Sequence, residues 1–320
     1  MELEKKHIIS SLSQKQVTIH APGTVANMVC GFDVLGMCLH EPFDVMQVKL
    51  LEEKKIIIIS KDGYKLPTDP AQNTAGAPLI EMLNEINGHI GFEVTIHKNI
   101  KPGSGIGSSA ASAAGAVVGA NYLLGNVFSK EDLVRFAMFG EKVASGVKHA
   151  DNIAPCIYGG VTLIRSIFPL DIITIDPPGF YVTVVHPQIE VRTSDARQIL
   201  RKEVQLKDAI KQWGNIAGLV AGLLKKDLAL IGRSLEDVII EPVRSILIPG
   251  FDEVKTKCKS AGALGGGISG SGPSIFMLSA DEATAGNVES AMKEVYTRIG
   301  ISYHSYVTTI CKTGAQIITE

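Results

Sequence analysis

The chain carries no excess of charge of either sign, no apolar run long enough to cross a bilayer and no closely spaced cysteine pair. Its 31 lysines and arginines against 33 aspartates and glutamates give a formal net charge of -2. Such a balance provides no broad positive field for a nucleic-acid backbone or an anionic membrane, and neither is expected as a partner. The longest weakly polar stretch, 110–124, is interrupted by Ser112, Gly115, Gly119 and Asn121. It falls short of the ~20 residues that a spanning helix needs, so it predicts a packed helix. The five cysteines, Cys30, Cys38, Cys156, Cys258 and Cys311, include no CxxC pair, are odd in number and sit among apolar residues. They read as small buried hydrophobes in a reducing compartment. The first sixteen residues mix both charge signs and lack the ~7–15-residue apolar core of a secretory signal. A cytoplasmic protein is expected, with disorder confined to about the first dozen residues.

What is present suits a folded enzyme. Hydrophobic residues make up 45% and charged residues 20% of 320, enough for two lobes of about 150 residues each. Runs rich in β-branched residues at 17–20, 45–51, 55–60 and 92–97, with one helix over 77–86, predict a sheet-rich start. Two helices follow between Ser108 and Gly146, the second opened by Ser129 with Asp132 three positions on. A second set is predicted as strands at 160–165 and 181–186, helices at 194–200, 206–224 and 228–234, and closing strands at 274–279 and 303–310. Pro155, Pro169, Pro177 and Pro178 punctuate the junction. The division is placed between residues 1–165 and 166–320, in an α+β architecture.

The most informative stretch runs from Lys101 to Ser112. It follows a predicted strand and leads directly into a helix of Ala and Gly. Gly103, Gly105 and Gly107 let the backbone turn tightly and bring N–H groups against an anion, and the unpaired amides of the first helical turn add a positive end. The expected guest is a polyphosphate. A Gly/Ser hinge with a packing helix is the structural alternative. No GKS or GKT is present, which excludes a Walker loop. GxGxxG spacing occurs at Gly265, Gly267 and Gly270, but strand-like residues follow it where a dinucleotide fold needs a helix.

Three separated motifs resemble the GHMP kinase family, the small-molecule kinases of galactose, homoserine, mevalonate and phosphomevalonate. They are Ala21-Pro-Gly-Thr-Val-Ala-Asn27 with Gly31-Phe-Asp-Val-Leu-Gly36, the Pro102–Ala111 loop, and Gly266-Gly-Ile-Ser-Gly-Ser-Gly-Pro273. Within the family, His149–Pro155, Arg192–Arg197, Glu241–Arg244 and Leu247–Phe251 resemble the branch that acts on homoserine. The phosphate loop departs from the usual pattern, which has its proline one position earlier and Leu where Ile106 stands.

The resemblance implies a two-lobed fold: an N-terminal, ATP-binding sheet and helix lobe with the phosphate loop, and a ferredoxin-like C-terminal lobe. It implies ATP with Mg²⁺. The nucleotide would be held by Lys101, Pro102, Gly103, Ser104, Gly105, Ile106, Gly107, Ser108, Ser109, Ala110, Ala111 and Asn73, and the metal by Ser108 and Glu141. Homoserine is a zwitterion with a terminal alcohol. Asp33 suits its ammonium, Asn27 its hydroxyl or ammonium end, and the forked Arg197 and Arg244 its carboxylate. Thr193 and His149 complete the pocket. Each has a structural alternative: a turn cap for Asp33, solvated helix charges for the arginines, a satisfied histidine for His149, an exposed Glu141 paired with Lys142. Asp151 and Asn152 lie where mevalonate-type relatives place a base; neither is assigned that role, because the proton can also pass directly to the γ-phosphate. Competing readings are a mevalonate-type kinase, which would leave Asp33 without purpose, and a non-catalytic binding relative, which would be expected to lack Ser108 or Glu141. A small-molecule partner is expected, with a homodimer as the assembly to test.

Overall fold

The computed structural model describes residues 15–86 and 89–318; the predicted disorder of the first dozen residues lies outside them. The first sheet has seven strands: β1 (Gln16–Ala26), β2 (Leu35–Leu51), β3 (Ile56–Ser60), β4 (Gly91–His97), β5 (Val161–Ile167), β6 (Leu170–Ile175) and β11 (Gln316–Ile318). Five of them run in the order β11-β1-β2-β4-β3, and β5 and β6 extend from the first half of β2. The second sheet contains β7 (Tyr181–Pro187), β8 (Gly265–Ile268), β9 (Ile275–Ser279) and β10 (Tyr303–Thr309) in the order β10-β7-β9-β8. All three of its pairings are antiparallel, which is the ferredoxin-like arrangement expected for the C-terminal lobe.

Ten α-helices complete the described chain: α1 (Gly76–Ile86), α2 (Ser108–Leu123), α3 (Lys130–Ser145), α4 (Ile153–Tyr158), α5 (Thr193–Gln198), α6 (Leu206–Lys225), α7 (Leu228–Ser234), α8 (Glu241–Arg244), α9 (Phe251–Ser260) and α10 (Glu282–Ile299). The signal at Ser129 develops fully. Its side chain accepts the Asp132 N–H while the Asp132 carboxylate accepts the Ser129 N–H, a complete capping box for α3.

A division at 165/166 runs through β5. The predicted strand at 160–165 lies in the first sheet, because it pairs with β2 and β6 there. The chain leaves that sheet after Ile175, across Pro177 and Pro178, where proline cannot donate to a ladder. It returns at β11, which pairs with β1. Elements α4, α8, α9, α10, β6, β8 and β11 had no counterpart among the predicted ones.

Side-chain alternation sorts the second sheet's two faces. Val182, Val184, Phe276 and Leu278 join the large core under the first sheet and α6, whereas Val185, Ile275 and Met277 pack with α9 and α10. The α2 helix is buried nearly all round and lies on β1 and β2. Its small residues permit that approach: a Cβ at Gly119 would lie 2.6 Å from Ile19 Cδ1 and 2.8 Å from Val48 Cγ2. Gly119→Val is therefore expected to destabilise the fold by about 1–3 kcal/mol through overpacking. The check is a lower denaturant midpoint at unchanged m-value.

Candidate active site

The phosphate-loop region begins where β4 ends. Asp44, on β2, accepts the backbone N–H groups of Asn99 and Ile100, each at 2.9 Å, and its other oxygen takes the ammonium of Lys98. Lys98 Nζ also donates to the Ser108 carbonyl at 2.8 Å and to Ser112 Oγ at 3.1 Å, inside the first turns of α2. The Ser108 hydroxyl closes the circuit by donating to the Ile100 carbonyl at 2.8 Å. Both ends of the loop are thus fastened to one buried ion pair. Burial works against both charges, raising Asp44 and lowering Lys98, and each partner opposes that shift in the other. Neither residue was among the predicted site residues. The available signal was one acid within the apolar alternation of β2 and one lysine just ahead of the glycines.

Between those ends the backbone must turn the left-handed way at Gly105 (φ 81°) and Gly107 (φ 67°). A Cβ at Gly105 would meet the Gly272 carbonyl oxygen at 2.6 Å, and one at Gly107 the Thr24 hydroxyl at 2.0 Å. From the second sheet, Ser269 Oγ donates to the Gly105 carbonyl at 2.7 Å and the Ser274 N–H to the Ser104 carbonyl at 3.3 Å. Thr24 N–H donates to the Ile106 carbonyl at 3.2 Å. Pro102, Gly103, Gly105, Gly107, Ser108 and Ser109 line a cleft of about 320 Å³.

Other predicted loop residues do not reach that cleft. Ile106, Ala110 and Ala111 are buried in the core beneath, Ser104 Oγ accepts the Ile106 N–H, and Lys101 turns away to Gln188. Asn73 is also committed elsewhere. Its oxygen accepts the N–H groups of Ala75 and Gly76, and its nitrogen donates to the Pro67 carbonyl. Thr74 and Leu66 line the cleft in its place.

The same cleft is lined by all six predicted substrate residues: Asn27, Asp33, His149, Thr193, Arg197 and Arg244. The loop after β1 has positive φ at Asn27 (71°), Met28 (42°), Val29 (69°) and Asp33 (61°). Such conformations are strained for side chains with a Cβ and cluster at functional sites. Asn27 stabilises the loop through its oxygen, which accepts the Asp33 N–H at 3.0 Å, and through its nitrogen, which donates to the Gly270 carbonyl at 2.9 Å. Arg197 Nη2 donates to both Asp33 oxygens, at 2.8 and 2.9 Å.

Arg244 donates from Nε to the Ala196 carbonyl (2.9 Å) and from Nη1 to the Gly270 carbonyl (3.1 Å), with its guanidinium 4.8 Å from the Phe32 ring centre. Burial lowers Arg244 to about 10, which leaves it charged at neutral pH. His149 Nδ1 stands 3.7 Å from Asp33. Burial lowers this imidazole, and its buried Nε2 has no partner among the described residues. Thr193 Oγ1 meets Ser271 Oγ at 3.2 Å, joining α5 to the turn between β8 and β9.

Three further groups line the cleft. Glu141, on α3, accepts the Ser109 hydroxyl at 2.5 Å. The serine facing Glu141 is therefore Ser109, since the Ser108 hydroxyl is turned to Ile100. Burial raises Glu141, and the Ser109 hydrogen bond opposes that shift. Asp151 is buried, and burial with the nearby Asp33 and Glu141 charges pushes it up to about 7. The Asn152 oxygen accepts the Thr24 hydroxyl at 2.7 Å. Among the described residues no three His, Cys, Asp or Glu side chains form a metal cluster. The set fits Mg²⁺, which is held by one or two protein oxygens together with phosphate.

Residues 73–160 match the model of the GHMP kinases N terminal domain and residues 219–298 that of GHMP kinases C terminal. A homoserine kinase of Chloroherpeton thalassium is 48% identical over 318 residues, covering 95% of this chain and 100% of that protein. One of Methanococcus maripaludis is 42% identical, covering 89% and 97%. The crystal structure of a homoserine kinase from Cytophaga hutchinsonii superposes with a TM-score of 0.92 at 46% identity, covering 96% and 98%. An L. major mevalonate kinase in complex with R-mevalonate shares the fold at a TM-score of 0.70 and 16% identity, covering 95% and 99%.

The buried acid Asp151 has a stability consequence with a definite sign. The folded chain retains its proton up to about pH 7, whereas the unfolded chain releases it near the ordinary aspartate value, so this group lowers stability as pH rises through that window. Asp151→Asn is expected to stabilise the protein by about 1–4 kcal/mol at pH 8 and by nothing measurable near about pH 4. Denaturant unfolding of both proteins at the two pH values is the measurement.

Proposed function

The chain belongs to the homoserine kinases of the GHMP kinase family, and from that premise we propose how its residues carry out the reaction. It transfers the γ-phosphate of ATP to the hydroxyl of L-homoserine, giving O-phospho-L-homoserine in threonine biosynthesis. The observation that carries the assignment is one cleft lined both by the glycine loop that opens α2 and by one carboxylate with two guanidiniums.

The loop amides and the N-terminal end of α2 receive the polyphosphate. Asp33 takes the ammonium of homoserine, held in position by Asn27. Arg197 and Arg244 take the carboxylate. Held at both charged ends, the substrate directs its hydroxyl toward Asp151 and Asn152. The amide of Asn152 orients that hydroxyl, and Asp151 accepts its proton, since a carboxyl titrating near neutrality is matched to general base work. Glu141 and Ser109 are the residues that would hold Mg²⁺, whose charge when bound neutralises the β- and γ-phosphate oxygens. Most of the acceleration then rests on positioning and charge.

Five free, buried cysteines accord with a cytoplasmic location, and no helix of the described residues is long and apolar enough to cross a membrane. A homodimer is the proposed assembly. It would cover the exposed stripe of Leu206, Ile210 and Trp213 on α6, which light scattering of the wild type and of Trp213→Glu can test.

ADP release measured with homoserine, mevalonate and galactose tests the substrate directly; turnover of mevalonate without homoserine would refute it. Arg197→Ala is expected to raise KM for homoserine by about 100-fold, the scale of a lost charge-assisted pair, while KM for ATP moves less than about threefold. Equal loss of both would make the arginine structural. The proton acceptor has its own signature. The kcat/KM for homoserine should fall below pH of about 7, and Asp151→Asn should remove that limb together with about 10²–10⁴ of the rate. A flat profile would mean that the proton passes directly to phosphate.

A further inference from the structure

The Lys101 side chain leaves the cleft for the second sheet. Its Nζ donates to Gln188 Oε1 at 2.8 Å. Gln188 follows β7, and its backbone N–H donates to the Ser302 carbonyl at 2.7 Å. Its side-chain nitrogen donates to the His186 carbonyl at 3.0 Å and meets His186 Nδ1 at 3.1 Å. A carbonyl oxygen only accepts, so the Gln188 amide nitrogen must face His186 and its oxygen must face Lys101. Burial first, then the charge of Lys101 and the neighbouring His304, lower His186 to about 4. The imidazole is therefore neutral at physiological pH and available as an acceptor.

The location gives this link a purpose. Upstream, Asn99 and Ile100 are held by Asp44. Downstream, Ser104 and Gly105 are held by Ser274 and Ser269. Between them, Pro102 and Gly103 form the open lip of the cleft, where Gly103 has φ 75° and nothing within 4 Å of a Cβ. The Ser104 N–H donates to the Lys101 carbonyl at 3.2 Å, closing the turn over that lip. Lys101 is thus the last fixed residue before the least supported part of the loop, and among the described residues its side chain hydrogen-bonds only to Gln188.

We propose that Lys101 and Gln188 form a positioning tether between the two sheets, which holds the lip of the phosphate loop in its nucleotide-binding shape and so sets affinity for ATP rather than the rate of transfer. The proposal rests on reading the loop as the cradle for ATP. Lys101 acts through the backbone of Pro102 and Gly103, and Gln188 through Lys101.

The test uses the full chain with Gln188→Leu, Lys101→Met, the double variant and Lys101→Arg. Steady-state kinetics with varied MgATP, calorimetric MgATP binding and thermal unfolding are measured for each. Each single variant should raise KM and Kd for ATP by about tenfold, the scale of one charge-assisted hydrogen bond, and the double variant by no more than either. Lys101→Arg should stay within about threefold of the parent, because it keeps a donor at that point. KM for homoserine, kcat at saturating ATP and Tm should be unchanged. Loss of ATP affinity in Lys101→Met but not in Gln188→Leu would overturn the tether in favour of direct contact with phosphate. A fall of Tm, kcat and both affinities together would overturn it in favour of a scaffold role. If the parent fails to turn over homoserine, the functional reading fails, and the binding measurements still decide the tether.

Discussion

Asp44 and Lys98 form a buried ion pair in which every strong hydrogen-bonding direction leads to the phosphate loop. Asp44 fastens the two residues that enter the loop, and Lys98 fastens the helix that leaves it. Desolvating two charges is costly, and a hydrophobic pair of similar volume is often at least as stable. What the pair supplies is placement. A loop rich in glycine has many accessible conformations, and loop closure entropy opposes any one of them. Anchoring both ends to a single rigid point on β2 leaves only the middle to be fixed, and the second sheet fixes it through Ser269, Ser274 and Gln188. Under the proposed function, a nucleotide approaching such a loop would meet a backbone already fixed, with little ordering left to do on binding.

The same logic extends across the cleft through one carbonyl. Gly270 accepts from both Asn27 Nδ2 and Arg244 Nη1. The strained loop after β1, the arginine of α8 and the turn between β8 and β9 therefore share one reference point. That turn also holds the phosphate loop through Ser269. The residues proposed for substrate and those proposed for phosphate are held by one tight glycine-rich turn, which explains why its residues are small. A Cβ at Gly105 would collide with the turn's backbone, so neither segment can carry bulk without parting the two ends of the site.

Much of this was legible in the sequence, and the exceptions have physical causes. The α6 helix is long and periodic, α2 opens on an unbroken run of small residues after a glycine loop, and the alternating strands β4 and β7 stand out against their flanking turns. The short strand β8 is three glycines and an isoleucine, a composition that predicts a turn; only pairing with β9 makes it a strand. The three-residue β11 likewise exists by pairing with β1. By contrast, α10 carried both signals, Asp281 at its start and Gly300 at its end, and was nonetheless not predicted. At the site, residue types gave the charges but not their neighbours. Two adjacent serines in one motif were equivalent in sequence, and helix geometry separated them, turning Ser108 to Ile100 and Ser109 to Glu141. Asn73 shows the converse. An amide that suits a ligand equally suits the start of α1, and the local backbone claims it first.

The pairing of Asp33 with Arg197 bears on how the site discriminates among alcohols. The two side chains satisfy each other in this structure, so a substrate gains nothing by offering one of them a partner while stranding the other. A hydroxy acid that drew Arg197 to its carboxylate would leave Asp33 with only a neutral imidazole and the Asn27 loop around it. A zwitterion exchanges one ion pair for two, and only that exchange is favourable on both sides. Removing a partner from a partly buried charge costs more than the pair contributes. Under the proposed function, selectivity would reside in the bond that already exists within the protein, with the two charges acting as one recognition element for an ammonium and a carboxylate on the same carbon.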